Sequence, residues 1–159
     1  MTAPTFPLGG AVAIVGSRHG SPYRPDSFAA AVVAAGGSVV TGCARGVDHA
    51  AATAAAAAMQ RVHAHPASLR VFRAAGHTPA DLAARTRQVI HAAAAVAVFP
   101  PSGPLGPGSA LALRLAQSRR VPVFFAGPTA PAAPGPWSPA TVAGVSGWLW
   151  SPPTMPGLF

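Results

Sequence analysis

Ala11-Val-Ala-Ile-Val-Gly-Ser-Arg18, followed further on by Ser38-Val-Val-Thr-Gly-Cys-Ala-Arg-Gly-Val-Asp48, are the two segments on which the fold turns. Each opens with a short apolar run of strand type, Ala11 to Val15 and Ser38 to Thr41, and each run ends in a loop of small residues. Between them, Asp26-Ser27 offers a helix cap, and Gly36-Gly37 stops the helix that would run through Ala35. After the second loop, Asp48 opens an Ala-rich helix to about Arg61. The unit is strand, loop, helix, twice over.

The alternation continues outward. Val62 to His65 reads as a short third strand, and Thr78-Pro79-Ala80-Asp81 reads as an N-cap with proline in the first turn of a helix through about Ala93. Ala95 to Phe99 is a strand, Pro100 to Gly108 a Pro/Gly loop, Ser109 to about Arg119 a helix, and Val121 to Phe125 a strand. Strands alternating with helices predict an α/β fold: one Rossmann-like, doubly wound, mostly parallel sheet with helices on both faces, over residues 1–126. Residues 127–159 are rich in Pro and Gly yet hold Trp137, Trp148, Trp150 and Phe159. Aromatic burial predicts that this extension docks on the core, with Val142 to Trp150 as an added edge strand, rather than serving as a partner-binding tail. No internal repeat is evident.

The 159 residues suit one domain with its own core. Its 11 basic residues against 3 acidic ones give a formal charge of +8, while half of the chain is apolar. All the basic residues are Arg, and Lys and Glu are absent. That excludes a Schiff-base or Walker lysine, a glutamate metalloprotease and a glutamate acid/base pair, and leaves Asp26, Asp48 and Asp81 as the carboxylates. The single Cys43 forms no internal disulfide, no secretory leader is evident, and the apolar runs Ala50 to Met59 and Ala92 to Phe99 fall short of the roughly 20 residues of a membrane span. The expected setting is a reducing cytoplasm, with no membrane partner.

In open α/β sheets ligands bind beyond the carboxyl ends of the strands. Here those ends carry Gly16-Ser17-Arg18, Thr41 to Val47, and Pro100 to Ser109. Glycine lets backbone N–H groups approach an anion, the helix opening at Asp48 points its positive end the same way, and Arg18 and Arg45 add bidentate donors. Phosphate is the natural guest. The competing reading is that the glycines only permit tight turns and the arginines are solvated. A G-x-G-x-x-G fingerprint and an acidic ribose-binding residue are both missing, which disfavours a nicotinamide enzyme.

Val12-Ala-Ile-Val-Gly-Ser-Arg18, Ser21-Pro-Tyr23 and Val39-Val-Thr-Gly-Cys-Ala-Arg-Gly-Val-Asp-His-Ala-Ala51 together resemble the Rossmann core of DNA-processing protein A and the wider SLOG group, which includes the lonely-guy phosphoribohydrolases. The likeness continues through Arg85-Thr-Arg87-Gln-Val-Ile90, Val96 to Phe99 and Gly106 to Ala110, and covers about residues 11–125. The resemblance implies a nucleotide-type or nucleic-acid phosphate site lined by Gly16, Ser17, Arg18, Gly42, Arg45, Gly46 and Asp48, with Gly108 and Ser109 closing it. Cys43, standing where glycine is usual, joins that loop, and Ser21, Tyr23, Arg85 and Arg87 are further candidate contacts. The phosphoribohydrolase pattern P-G-G-x-G-T-x-x-E appears only as Pro101 to Ser109, with no Glu after it. Efficient nucleotide cleavage is therefore not expected.

Other candidates carry two readings each. Asp48 caps its helix, or it orients Arg45 or accepts a ligand hydroxyl; at a helix start it is expected to stay ionised. Cys43 fills a glycine position, or becomes a thiolate beside Arg45. His63 and His65 alternate on the expected strand and share a face, which is too few ligands for a zinc site. His49 and His91 read as helix residues. Arg85, Arg87, Arg119 and Arg120 are solvated, or extend a positive track. The expected function is binding of a phosphate-bearing small molecule or nucleotide, with no resident cofactor or metal and no convincing catalytic set. The alternatives are single-stranded DNA binding, with tryptophans for stacking, and a phosphoribohydrolase that uses Asp48. A homodimer is compatible with any of these.

Overall fold

A computed structural model describes residues 5–153. Phe159, the last aromatic of the extension, lies outside them. The elements are β1 (Ala11–Gly16), α1 (Pro25–Ala34), β2 (Ser38–Gly42), α2 (Val47–Val62), β3 (Leu69–Phe72), α3 (Pro79–His91), β4 (Ala95–Phe99), α4 (Pro107–Ser118), β5 (Val123–Ala126), β6 (Ser138–Val142) and β7 (Val145–Trp150). They build one seven-stranded sheet in the order β3-β2-β1-β4-β5-β7-β6. Strands β1 to β5 are parallel, and β7 and β6 are added antiparallel. This is the doubly wound α/β class the alternation predicts.

The chain winds from β1 to β3 in one direction along the sheet and from β4 onward in the other, which makes the seam between β1 and β4 the topological switch point. Alternation along the strands sends Val12 and Ile14 to the face covered by α1 and α2, and Ala13 and Val15 to the face covered by α3 and α4. On the first face Phe28 packs edge-on against Phe99 at 5.3 Å and stacks on Phe124 at 5.5 Å between ring centres. The helix ends are defined locally: Thr78 and Asp81 form a reciprocal capping box on α3, with Asp81 N–H donating to Thr78 Oγ1 at 3.1 Å. That occupies Asp81 structurally.

Several boundaries differ from the sequence reading. The third strand is Leu69–Phe72, not Val62 to His65. The Ala-rich helix runs on through Val62, His63 ends it in the left-handed region at φ 50°, and His65 caps a short 3-10 turn at Pro66–Ser68, its Nδ1 accepting from Ala67 N–H. The two histidines therefore share no strand face, and among the described residues no cluster of three or more metal-ligating side chains occurs. Helix α1 starts at Pro25 behind Arg24 with no side-chain cap, so Asp26 is a first-turn acid and Asp26-Ser27 is not the cap. The extension forms a hairpin: β7 lies between β5 and β6, and β6 is the edge. Trp150 is buried, and Trp137 meets Phe125 edge-on at 6.5 Å. Arg119 donates to the carbonyls of Ile90 and Ala93 behind α3, and Arg120 donates to that of Pro153.

Candidate functional site

Where β1 and β4 separate, their carboxyl ends open a cleft of about 470 Å³ between the loops after β1, β2 and β4, with α3 as a side wall. Gly16 ends β1 against β4, and Ser17 N–H donates to Phe99 O at 3.3 Å across the seam. The loop after β2 is tied to the loop after β1: Val47 N–H donates to Ser17 O at 3.0 Å. This contact dictates Gly46, whose φ of 73° and whose approach to Arg18 carbonyl carbon, 2.6 Å from where a Cβ would stand, admit no side chain. The G-x-D spacing thus locks two loops together before any ligand is considered.

Helix α4 differs. Pro107 has no N–H, and the first intrahelical bond comes from Ala110 N–H to Gly106 O at 3.0 Å. The Gly108 and Ser109 amides are the orphan donors of the first turn, and both residues line the cleft. A helix N-terminus with unspent amides favours negative charge.

Of the predicted site residues, the structure brings Gly16, Ser17, Arg18, Gly42, Asp48, Arg85, Gly108 and Ser109 to this cleft. Cys43, Arg45 and Gly46 are not on its lining, and Arg45 and Cys43 are exposed. Arg87 is exposed elsewhere on α3, and Arg119 and Arg120 serve helix and chain ends away from the site. Ser21 and Tyr23 are structural neighbours: Ser21 Oγ donates to Pro100 O at 2.6 Å and accepts from Tyr23 N–H at 3.3 Å, fixing the loop after β4. His19, Ala44 and Thr86 also line the cleft and were not foreseen from the sequence. Thr86 and Arg85 sit on α3, and their inward face follows the helical spacing that buries Val89.

Asp48 is the one carboxylate on the cleft lining among the described residues. It is the second residue of α2, not its cap, and only 7% exposed. Its Oδ2 accepts from Ala44 N–H at 3.1 Å. Burial pushes its carboxyl above the ordinary Asp value, against the opposing pull of the Ala44 N–H and of the Arg85 guanidinium. The direction is opposite to the lowering that helix amides alone would give, because the loss of water outweighs the donors. Asp48 Oδ2 and the Arg85 side chain both crowd the α-carbon of Gly42, where a Cβ would stand 2.7 Å from the oxygen and 2.9 Å from Arg85 Cδ. Arg85 Nη1 continues to Cys43 Sγ at 3.6 Å. A hydrogen bond from Ala74 N–H, helped by Arg85 and Arg73, holds the Cys43 thiol below its ordinary value despite slight burial.

Fold and cleft together define a Rossmann-like α/β protein with an arginine-lined cleft at its switch point. Comparison with protein-family models gives no match, and no curated protein matches the chain in sequence. No helix among the described residues is long and apolar enough to cross a membrane.

Proposed function

We propose that this protein binds a phosphate-bearing small molecule, a nucleotide or nucleotide derivative, at the cleft between β1 and β4, as the likeness of its loops to the SLOG group implies. The observation that carries the reading is the convergence of the unspent Gly108 and Ser109 amides with the Arg18 and Arg85 guanidinium groups on one cleft at the switch point. Charge-assisted hydrogen bonds of this kind contribute about 1.5–3 kcal/mol each. Binding without turnover is favoured by the carboxylate count. Cleaving an N-glycosidic bond needs an acid for the leaving base and a carboxylate for the sugar cation, and Asp48 alone cannot be protonated for one role and ionised for the other.

Calorimetric titration with AMP and inorganic phosphate tests the reading. Arg18→Ala and Arg85→Ala each weaken both ligands tenfold or more, while Arg45→Ala, outside the cleft lining, changes them less than threefold. Unchanged affinity in the first two variants overturns the site. Single-stranded DNA is the second reading, favoured by the +8 charge and by exposed Arg45 and Arg73 beside the Cys43 loop. Preference for oligo(dT) over duplex at about physiological salt, with AMP unable to compete, would favour it. Trp150 is buried and offers such a strand no stacking face.

A further inference from the structure

On the other side of the loop after β4 lies a larger cavity, about 1070 Å³, between α4 and the segment from Gly127 to Pro136. Ala110, Leu113 and Gln117 of α4 form one wall, and Phe125 and Trp150 lie on the sheet side. The opposite wall is Pro/Gly chain from outside the region that resembles the SLOG core.

That wall is built into the fold. At Gly127, with φ 104°, a Cβ would stand 2.9 Å from the Tyr23 ring, and at Gly135, with φ 105°, a Cβ would stand 2.7 Å from Cδ1 of the Trp150 indole. Gln117 Nε2 donates to Pro134 O at 2.7 Å, and Trp137 Nε1 donates to Ala133 O at 3.3 Å. The prolines of this wall carry no N–H and Gln117 Nε2 is committed to Pro134, so the lining is mainly apolar, with Arg114, Ser102, Ser118 and Thr129 as its polar members. Its size matches pockets that take drug-sized molecules, roughly 300–1,000 Å³.

The cavity and the anion cleft are neighbours through shared parts. Pro101 and Pro104 line both. Helix α4 serves both as well, closing the cleft with Gly108 and Ser109 and walling the cavity with Ala110 and Leu113. From Ser109, on the cleft, to Leu113, on the cavity, the helix rises about 6 Å along its axis. We infer that this cavity is a second binding site which takes the bulky apolar group of an organic phosphate ester whose phosphate occupies the cleft. The inference rests on the phosphate reading above and narrows it to esters with a large apolar substituent.

The test compares inorganic phosphate, 1-naphthyl phosphate and 1-naphthol by calorimetry on the full chain. The expected result is 1-naphthyl phosphate binding at least tenfold more tightly than inorganic phosphate. Leu105→Ser and Ala110→Gln, which touch the cavity and not the cleft, cut that margin below threefold and leave inorganic phosphate unchanged; Arg18→Ala weakens both phosphates. Equal affinity of the two phosphates in the parent overturns the second site while leaving the phosphate reading intact. Failure of inorganic phosphate to bind overturns the phosphate reading, and 1-naphthol binding alone would then show an apolar cavity unconnected with any anion, which also overturns the inference.

Discussion

Helices α2 and α4 both begin beyond a strand end, both behind a glycine, yet their leading residues meet different surroundings. Helix α2 gives its leading amide, Val47, to the Ser17 carbonyl, and Asp48 behind it turns back to Ala44. Helix α4 begins with proline, makes its first internal bond at Ala110, and leaves Gly108 and Ser109 facing the cleft. A glycine-rich strand-to-helix turn can therefore be a clasp between loops or an open donor site, and its composition does not say which. Both make their first internal bond at the same place, Ala50 to Gly46 and Ala110 to Gly106; what separates them is that the leading amide of α2 is taken by Ser17 O, and that Gly108 and Ser109 line the cleft while His49 does not.

The largest expected effect comes from breaking the clasp. Gly46→Ala places a side chain in a backbone conformation reserved for glycine and against the Ser17 and Arg18 backbone, and it should cost about 3 kcal/mol or more in urea unfolding. A loss below about 1 kcal/mol would show that the two loops are not locked. At Gly108 of α4 a Cβ meets nothing within 4 Å, so an added side chain is tolerated.

The contrast sharpens with one added charge at each helix start. Gly108→Asp should leave thermal stability unchanged or raise it, since an acid in a first helical turn contributes about 0.3–1 kcal/mol, while phosphate affinity falls about tenfold by repulsion. His49→Asp, at the start of α2 and exposed, should change phosphate affinity less than threefold. Equal losses in the two variants would mean that the helices do not differ as donors.

The smallest effect is the titration of Asp48. Its folded carboxyl lies above the ordinary Asp value through burial, so between that value and the raised one the folded state holds more protons than the unfolded state. The stability this contributes is full below the ordinary value and is lost as pH rises through the raised one. Relative to Asp48→Asn, the parent should therefore gain stability as the solution is acidified across that window. Replacing the carboxylate also removes a negative charge from the cleft, so Asp48→Asn should tighten phosphate a few-fold at neutral pH. A difference in melting temperature that is flat with pH, or that grows with rising pH, would refute the assignment.

Much of this molecule was legible from local pattern. Ala11 to Val15, Ser38 to Thr41 and Ala95 to Phe99 are apolar runs too short for buried helices, and the structure returns each as a strand within a residue or so. Thr78-Pro79 and Asp81 specify their own helix start through bonds within three residues. The third strand was misplaced because Val62-His-Ala-His65 alternates as a strand does, while the Ala run before it carries helix through Val62 and the true strand, Leu69 to Phe72, is a short, half-exposed edge with weak alternation. The extension was read as one added strand because nothing local marks Ser138-Pro-Ala-Thr-Val142 as a partner. Its hydrogen bonds to β7 define it.

At the site the same division holds. Sequence by itself determined the winding of the sheet, the three loops at its carboxyl end, the glycines those loops require and the absence of Glu and Lys, because these follow from residue type and near-neighbour spacing. Only the tertiary structure decided that Arg85 lines the cleft while Arg45 does not, and that Ser17 O occupies the amide of Val47. The same is true of the loss of water around Asp48, which raises its carboxyl, and of the proline segment that encloses a cavity against α4. Each of these depends on which groups from distant parts of the chain arrive within hydrogen-bond or packing distance, and solvent exclusion and contact across the fold leave no mark in local sequence.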